Sequence, residues 1–301
     1  MKHLVVTADD FGAAREVNDA IEESHRRGIL TAASLMVAGP AAADAVARAR
    51  HMPSLRVGLH LVLVEGRPVL APSDIPDLVD ASGNFRTDLA RLGTAIFFRP
   101  NVRRQVAAEI AAQFEAFRAT GLALDHVNAH KHYHLHPSIA GLILCIGKRF
   151  GMRALRVPLE PANVLAQIEP VPRDWTASLA GAFATGLRRR FRKAGVLSPD
   201  WVFGLRWSGA ITPVRLAGII ANLPPGLSEI YLHPATSGGF TSAAPGYHYK
   251  EELAAITDPD IVAMLRSSAI RRGGFADFQP VGGQRRDYAA DHMNHGRTLT
   301  P

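Results

Sequence analysis

The sequence predicts a single-domain α/β fold, a (β/α) barrel closed or partly closed, with an open doubly wound sheet as the second choice. Three observations carry this. Short β-branched runs alternate with helical segments along most of the 301 residues, the pattern of a mainly parallel sheet covered by helices. The length suits one such barrel. Polar residues able to act as acids, bases or ligands recur where the strands end, which is the edge on which such folds build their sites.

The elements follow in order. "HLVVTA" (3–8) reads as a strand, followed by a helix over 14–27 that stops at Gly28. "TAASLMV" (31–37) is a second strand, and an alanine-rich helix over 40–50 follows Pro40. "RVGLHLVLV" (56–64) is a third strand, and the Pro-, Asp- and Ser-rich stretch 65–86 is long enough for a lid. Residues 102–119 form an amphipathic helix, and "ALDHVNAH" (123–130) a strand. The next helix starts at Pro137, a residue tolerated in a first turn. "RALRVP" (153–158) and "SEIYLHP" (228–234) supply later strands. The domain is expected to span 1–283, and the polar stretch 284–301 to be a poorly ordered tail.

Composition narrows the function classes. A hydrophobic fraction of 47% and a charged fraction of 20% are those of an ordinary globular protein. The single cysteine, Cys145 in "AGLILCIG", excludes an internal disulfide and reads as a small buried hydrophobe. No run reaches the roughly 18 apolar residues that span a bilayer, and two aspartates interrupt the N-terminal apolar run too early for a signal peptide. The expected location is therefore cytoplasmic. A net charge of +7 favours anionic partners, but no nucleic-acid module or aromatic platform is present, so nucleic acid is excluded as a partner.

The polar residues at the predicted strand ends are Asp9 and Asp10, His60, His130 with its neighbours, Arg156 and His233. An Asp pair after a strand can be a helix cap, and His60 or His233 alone could be a core histidine. The segment "HVNAHKHYHLHP" (126–137) is different, with histidines at 126, 130, 132, 134 and 136. In an extended strand, alternate residues share a face about 6–7 Å apart, so one ion could take at most two neighbours of such a row. The remaining histidines would then be substrate contacts, support or packing. One carboxylate and two neutral imidazoles suit a divalent ion with open positions, and a second carboxylate and an opposed histidine suit proton transfer. That combination fits metal-assisted hydrolysis. A phosphoesterase, or a non-catalytic metal- or sugar-binding protein, would use similar ligands.

With "TADDFG" (7–12), "GLHLVL" (58–63), "HVNAHKHYHLHP" (126–137), "RVP" (156–158) and "EIYLHP" (229–234) in this order, the sequence resembles the ChbG/YdjC-like carbohydrate deacetylases. "GLHLVLVEGRP" (58–68) and the Asn128–His132 version of the histidine motif are most like its hopanoid-biosynthesis-associated branch. The resemblance implies a TIM-barrel-like fold, distorted or incomplete, and one divalent metal ion, Mg²⁺ or Zn²⁺, on Asp10, His60 and His130. It implies Asp9 as general base and His233 as general acid. In the mechanism these residues suggest, Arg156 orients Asp9 or the substrate, or forms a structural ion pair, and His132 and His134 lie near the sugar or behind the residues that touch it. The family more often carries Asp where this chain has Asn128, which removes a carboxylate partner from the ligand histidine.

The implied substrate is an N-acetylglucosaminyl hopanoid, with soluble N-acetyl sugars or chitooligosaccharides as the alternative. The stripe Leu179, Phe183, Leu187 and Phe191, flanked by Arg188, Arg189, Arg190, Arg192 and Lys193, suggests peripheral membrane contact through 178–195. A core-facing stripe is the competing reading, and "AIFFRPNVRR" (95–104) is a second membrane candidate. A homodimer remains an open state.

Overall fold

A computed structural model describes residues 1–170 and 175–279, and the side chains of all of these except 175–180. The expected tail, 284–301, lies outside the described residues. In chain order the elements are β1 (Lys2–Phe11), α1 (Arg15–Arg27), β2 (Ala32–Leu35), α2 (Ala42–Arg50), β3 (Arg56–Leu61), α3 (Leu89–Phe98), α4 (Pro100–Ala119), β4 (Val127–Ala129), α5 (Pro137–Arg149), α6 (Ala162–Leu165), α7 (Trp175–Lys193), β5 (Trp201–Phe203), α8 (Pro213–Ala221), β6 (Gly226–Leu232), α9 (Tyr249–Thr257), α10 (Pro259–Ser267) and β7 (Arg271–Arg272).

All strand pairs are parallel, in the order β4-β3-β2-β1-β6-β5, with β7 beside the start of β1. The sheet curls into an incomplete, distorted barrel. The gap between β4 and β5 is bridged rather than filled: Val127 pairs with Leu155, and Ala154 with Leu197, each through a single parallel bridge. The predicted strand 153–158 is this bridging segment.

Side-chain alternation sorts the strands into two faces. On β1, Leu4, Val6 and Ala8 join the large cluster shared with the helices, whereas Val5 belongs to a separate cluster with Ala32, Ala154, Leu227, Phe275 and Phe278. That second cluster plugs the N-terminal end of the barrel. Next along the inward face come Thr7, Ser34, Asn128, Arg156 and Glu229, all fully buried and polar. The barrel interior is thus apolar at one end and polar towards the other, where the strands end.

The stop at Gly28 is steric: a Cβ there would lie 2.3 Å from the carbonyl oxygen of Ile256. Gly58 is needed for the same reason, because a Cβ would sit 2.5 Å from the His126 ring, which fills the barrel at that level.

Three expectations change. Cys145 is exposed, because α5 turns Ile139, Ala140, Ile143, Ile146 and Gly147 to the core and leaves position 145 on the opposite side. The loop 65–86 is fastened rather than free. Glu109 accepts from the backbone N–H groups of Val69 and Leu70, and Ile75, Leu78, Val79 and Phe85 are buried. The stripe on α7 turns inward, with Leu187 and Phe191 buried, while Phe183 faces solvent and the side chain of Leu179 lies outside the described residues. Arg188 and Arg192 are spent on carbonyls of Asp200 and Ser198. Among the described residues, no helix is long and apolar enough to cross a membrane.

Candidate active site

The polar end of the barrel opens into a cavity of about 1420 Å³ lined by Asp9, Asp10, His60, His130, His132, Tyr231 and His233, among others. Of the expected site residues, Arg156 and His134 are not in its wall.

Asp9 continues the inward register of β1, and Asp10 follows it with a φ of 65°, in the left-handed region that Asp tolerates better than most residues. That twist, at an irregularity of β1 between Ala8 and Phe11, brings two consecutive carboxylates to one site. The four non-glycine residues with positive φ among the described ones are Asp10, Glu65, Lys131 and His132, and all line the cavity. Such conformations cost about 1–3 kcal/mol each and gather at functional sites.

Three atoms form a near-equilateral triangle. Asp10 Oδ1 lies 3.2 Å from His60 Nε2 and 3.4 Å from His130 Nδ1, and the two nitrogens are 3.4 Å apart. The tautomer of His60 is set from behind. Its Nδ1–H faces Asn128 Oδ1 at 2.7 Å and Ser34 Oγ at 3.0 Å, which turns the Nε2 lone pair to the triangle. Asp10 Oδ1 is buried there with no hydrogen bond. Converging lone pairs without a proton between them fit a cation. Tetrahedral bonds of about 2.0–2.1 Å give ligand–ligand edges of about 3.3–3.4 Å, as for zinc; octahedral Mg²⁺ at the same bond length gives about 2.9 Å. The donor set and its spacing therefore fit a divalent ion, with the tetrahedral type closer. Burial opposes charge on Asp10, yet the two histidines hold its carboxyl well below the usual carboxylate range. Burial also opposes charge on His130, and Asp10 outweighs it, so that imidazole is shifted upward.

Asp9 lies beside this triangle within a buried network. Arg156 donates to its Oδ2 at 2.5 Å and its Oδ1 at 2.9 Å, while Ser34 Oγ–H and Asn128 Nδ2–H donate to Oδ1 at 2.8 and 2.9 Å. Arg156 also reaches Glu229 at 2.7 Å, and Glu229 accepts from Thr7. Burial alone would raise the Asp9 pKa; Arg156 foremost overrides it and holds the carboxyl far below its usual range. Asn128 has a double part, since its oxygen faces His60 and its amide N–H₂ faces Asp9. The carboxylate expected more often at this position could not donate to Asp9.

His233 follows β6 and packs between the rings of Tyr231 and Tyr247, with centroids 5.6 and 5.0 Å away. Burial lowers its pKa, partly offset by Asp10 and Asp9, so it is mainly neutral near pH 7. Its backbone N–H donates to Glu252, a buried carboxyl pushed up to about 7. His132 pairs through Nε2 with Tyr231 Oη at 2.9 Å, and burial, then Arg156, keeps it far below the ordinary histidine value. Tyr231 in turn carries the Arg156 guanidinium 4.5 Å over its ring.

The histidine row survives only in part. Positions 126, 128 and 130 do alternate on the inward face of β4. The chain then leaves the strand in a 3-10 turn, His130–Leu135, with Lys131 and His132 in left-handed conformations. Left-handed backbone, not strand spacing, separates His132 from His130. His134 is fully buried and outside the cavity wall, the second of its two expected places rather than beside the sugar. Burial and Arg156 bring its pKa down to about 3. His136 packs against Phe97 and Tyr133. His126 sits at the plugged end, 2.9 Å from Asp125 and with its ring tilted against that of Phe275, centroids 4.7 Å apart.

A family model described as YdjC-like protein matches residues 3–267. The chain belongs to the YdjC-like family. A carbohydrate deacetylase of Geobacillus stearothermophilus is 29% identical over 281 residues, covering 92% of this chain and 98% of that protein. One from Brevibacillus brevis is 40% identical over 156 residues, 52% of this chain and 58% of the other. A crystal structure from Enterococcus faecalis V583, of a protein named for cellobiose-phosphate cleavage, superposes with a TM-score of 0.72 at 23% identity, over 93% of this chain and 99% of that one. At that identity the likeness concerns the fold alone.

In this YdjC-like site, sequence reasoning missed Ser34, Thr7, Glu229 and Tyr231. The signal was available in part: Glu229, Tyr231 and His233 sit two apart in "EIYLH", so an inward His233 requires the other two inward as well.

Proposed function

We propose that this chain is a divalent-metal-dependent carbohydrate N-deacetylase that hydrolyses the acetamide of an N-acetylglucosaminyl substrate. The observation that carries the reading is the Asp10–His60–His130 triangle of bare donor atoms beside a second, fully ionised carboxylate, Asp9. A divalent ion held by these residues would polarise a carbonyl and acidify water. The deacetylase relatives support the choice of reaction.

The chain's own residues divide the work. Asn128 and Ser34 hold His60 in the tautomer that presents Nε2. Arg156 keeps Asp9 ionised and its carboxylate plane fixed. Asp9 takes the proton from water as the acetamide carbon is attacked, and His233, on the tyrosine-lined wall, gives a proton to the departing amine. Tyr231 and His132 line the cavity as sugar contacts.

A second reading is favoured by the four hydrogen bonds already held by Asp9 and by the lowered pKa of His233. In it, neutral His233 takes the proton from water and returns it to the amine, while Asp9 and Arg156 only position and balance charge. The two readings predict opposite responses to pH. With His233 as acid, kcat falls as pH rises through its lowered pKa; with His233 as base, kcat falls as pH drops through that value.

For substrate, we propose an N-acetylglucosaminyl hopanoid, which rests on "GLHLVLVEGRP" and the Asn128 motif; soluble chitooligosaccharides are the alternative. The test is acetate release from the lipid and from the soluble sugar, with and without chelator. Undiminished release by Asp9→Asn and His130→Ala proteins would refute the mechanism. Reaction with the soluble sugar only would remove the lipid assignment and leave the deacetylase reading intact.

A further inference from the structure

At the corner where α3 meets α4, two large aromatic side chains stand in solvent. Phe97 is 55% and Phe98 73% exposed, with ring centroids 5.0 Å apart. Helix α3 reads LARLGTAIFF and turns only Leu92, Gly93 and Ile96 to the core. Arg91, Thr94 and Phe98 share its outer face by three- and four-residue spacing, and all three are exposed. Arg99 follows directly, and Arg103 and Arg104 stand exposed in the first turns of α4. Asp77 is the one carboxylate paired into this group among the described residues, 3.0 Å from Arg99.

Exposed phenylalanines ringed by guanidinium groups have a specific physical use. Aromatic rings insert at the boundary between lipid head groups and chains, and arginines spread on their aliphatic stems to reach the phosphates. We propose that the α3–α4 corner, centred on Phe97 and Phe98 with Arg91, Arg99, Arg103 and Arg104, is the surface by which this protein docks on an anionic lipid bilayer. A second copy of the chain is a poorer occupant, because a two-fold contact through this patch would set the arginine cluster against itself.

The corner is also well placed. Asn84, Phe85 and Thr87 line the cavity immediately before α3, and the hydroxyl of Tyr133, in the turn that carries His130, donates to the carbonyl of Leu89. The aromatic end of α3 is then about 12–14 Å along the helix from the cavity wall, at 1.5 Å per residue. Docking here would hold the cavity-lining segment Asn84, Phe85 and Thr87 within one helix length of the lipid surface. On α7, by contrast, Leu187 and Phe191 are spent on the core.

The experiment is sedimentation of the full chain with phosphatidylcholine vesicles, with and without phosphatidylglycerol. Binding is expected on the mixed vesicles and not on pure phosphatidylcholine, and it should weaken with salt. Phe97→Ser/Phe98→Ser and, separately, Arg103→Gln/Arg104→Gln should each weaken it about tenfold or more. Both pairs are exposed, and an unchanged unfolding transition verifies the fold. No binding by the parent chain, or parent-like binding by both double variants, overturns the proposal. A parent dimer that the phenylalanine variant converts to monomer, with no vesicle binding, assigns the patch to self-association and equally overturns it. None of these outcomes depends on whether the deacetylase reading is right.

Discussion

Removing the guanidinium at position 156 should change the pH dependence of stability in sign as well as in size. Arg156 is fully buried, donates to both oxygens of Asp9 and reaches Glu229 at 2.7 Å. Arg156→Met keeps much of the side-chain volume but leaves two carboxylates without their counter-ion. Deleting one partner of a buried pair costs about 3–5 kcal/mol. In the parent, burial raises the Asp9 pKa and Arg156 more than reverses it, so the folded value lies below the unfolded one. Asp9 therefore contributes stability that is present above the unfolded value of 3.8 and is lost as pH falls towards the folded one. Without Arg156, burial is opposed only by His60, His233 and the hydrogen bonds from Ser34 and Asn128; with the foremost opposing group gone, the folded pKa should rise above the unfolded one, and acidification should then stabilise. Urea unfolding of both proteins in chelator should show a deficit of about 3–5 kcal/mol near pH 8, shrinking steadily towards about pH 4. The double variant Asp9→Asn/Arg156→Met should recover part of the deficit at high pH. A deficit under about 1 kcal/mol, or one independent of pH, would refute the electrostatic account of this network.

Asn128→Leu removes the oxygen that fixes the His60 tautomer and should weaken binding of zinc about 10–100-fold in calorimetric titration while leaving the chain folded; unchanged affinity would mean Ser34 alone sets the ring. Asp10→Asn should abolish stoichiometric binding of zinc added to the purified protein, and the parent is expected to prefer Zn²⁺ to Mg²⁺ in competition, the triangle edges of 3.2–3.4 Å being closer to tetrahedral than to octahedral spacing. Gly58→Ala forces the His126 ring aside from a contact of 2.5 Å and should cost about 1–3 kcal/mol of stability in chemical unfolding, with kcat retained because His126 lies at the plugged end of the barrel.

The parts legible in the sequence are those that obey a period. Strand–helix alternation gave β1, β2, β3 and β6, with their helices, close to their observed positions. The period of two gave the inward face, on which Asp9, His60, Asn128, His130 and Arg156 meet. Where the chain departs from a period, the reading failed. Helices α3 and α8–α10, all of nine or ten residues, are not among the elements the sequence predicts, and β5 is too short, at three residues, to show an alternation. The bridging segment 153–157 owes its place to single bridges at Leu155 and Leu197 rather than to a continuous ladder. Cys145 was misplaced because composition says that cysteines are buried, whereas the stripe of α5 says which face position 145 occupies.

Strand spacing set the expected separation of the histidines, but the chain is a strand only as far as Ala129. The separation comes instead from Lys131 and His132, whose φ values of 54° and 52° no side-chain pattern announces. Left-handed backbone at non-glycine positions is imposed by tertiary contacts, here the Lys131–Glu65 ion pair at 3.1 Å and the His132–Tyr231 hydrogen bond. Both partners come from other strand ends, so the sequence around residue 130 alone could not contain the information. The same reasoning changes the meaning of Asn128. In sequence it is a lost carboxylate; in the barrel it lies between Asp9 and His60, where its amide donates to the first and accepts from the second, as the Ser34 hydroxyl also does and an ionised carboxylate could not. A carboxylate at 128 would face Asp9 Oδ1 at 2.9 Å, where two like charges cannot both remain ionised. Asparagine therefore keeps Asp9 charged and His60 oriented without a shared proton, and that links the departure from the family pattern to the charge state of the site.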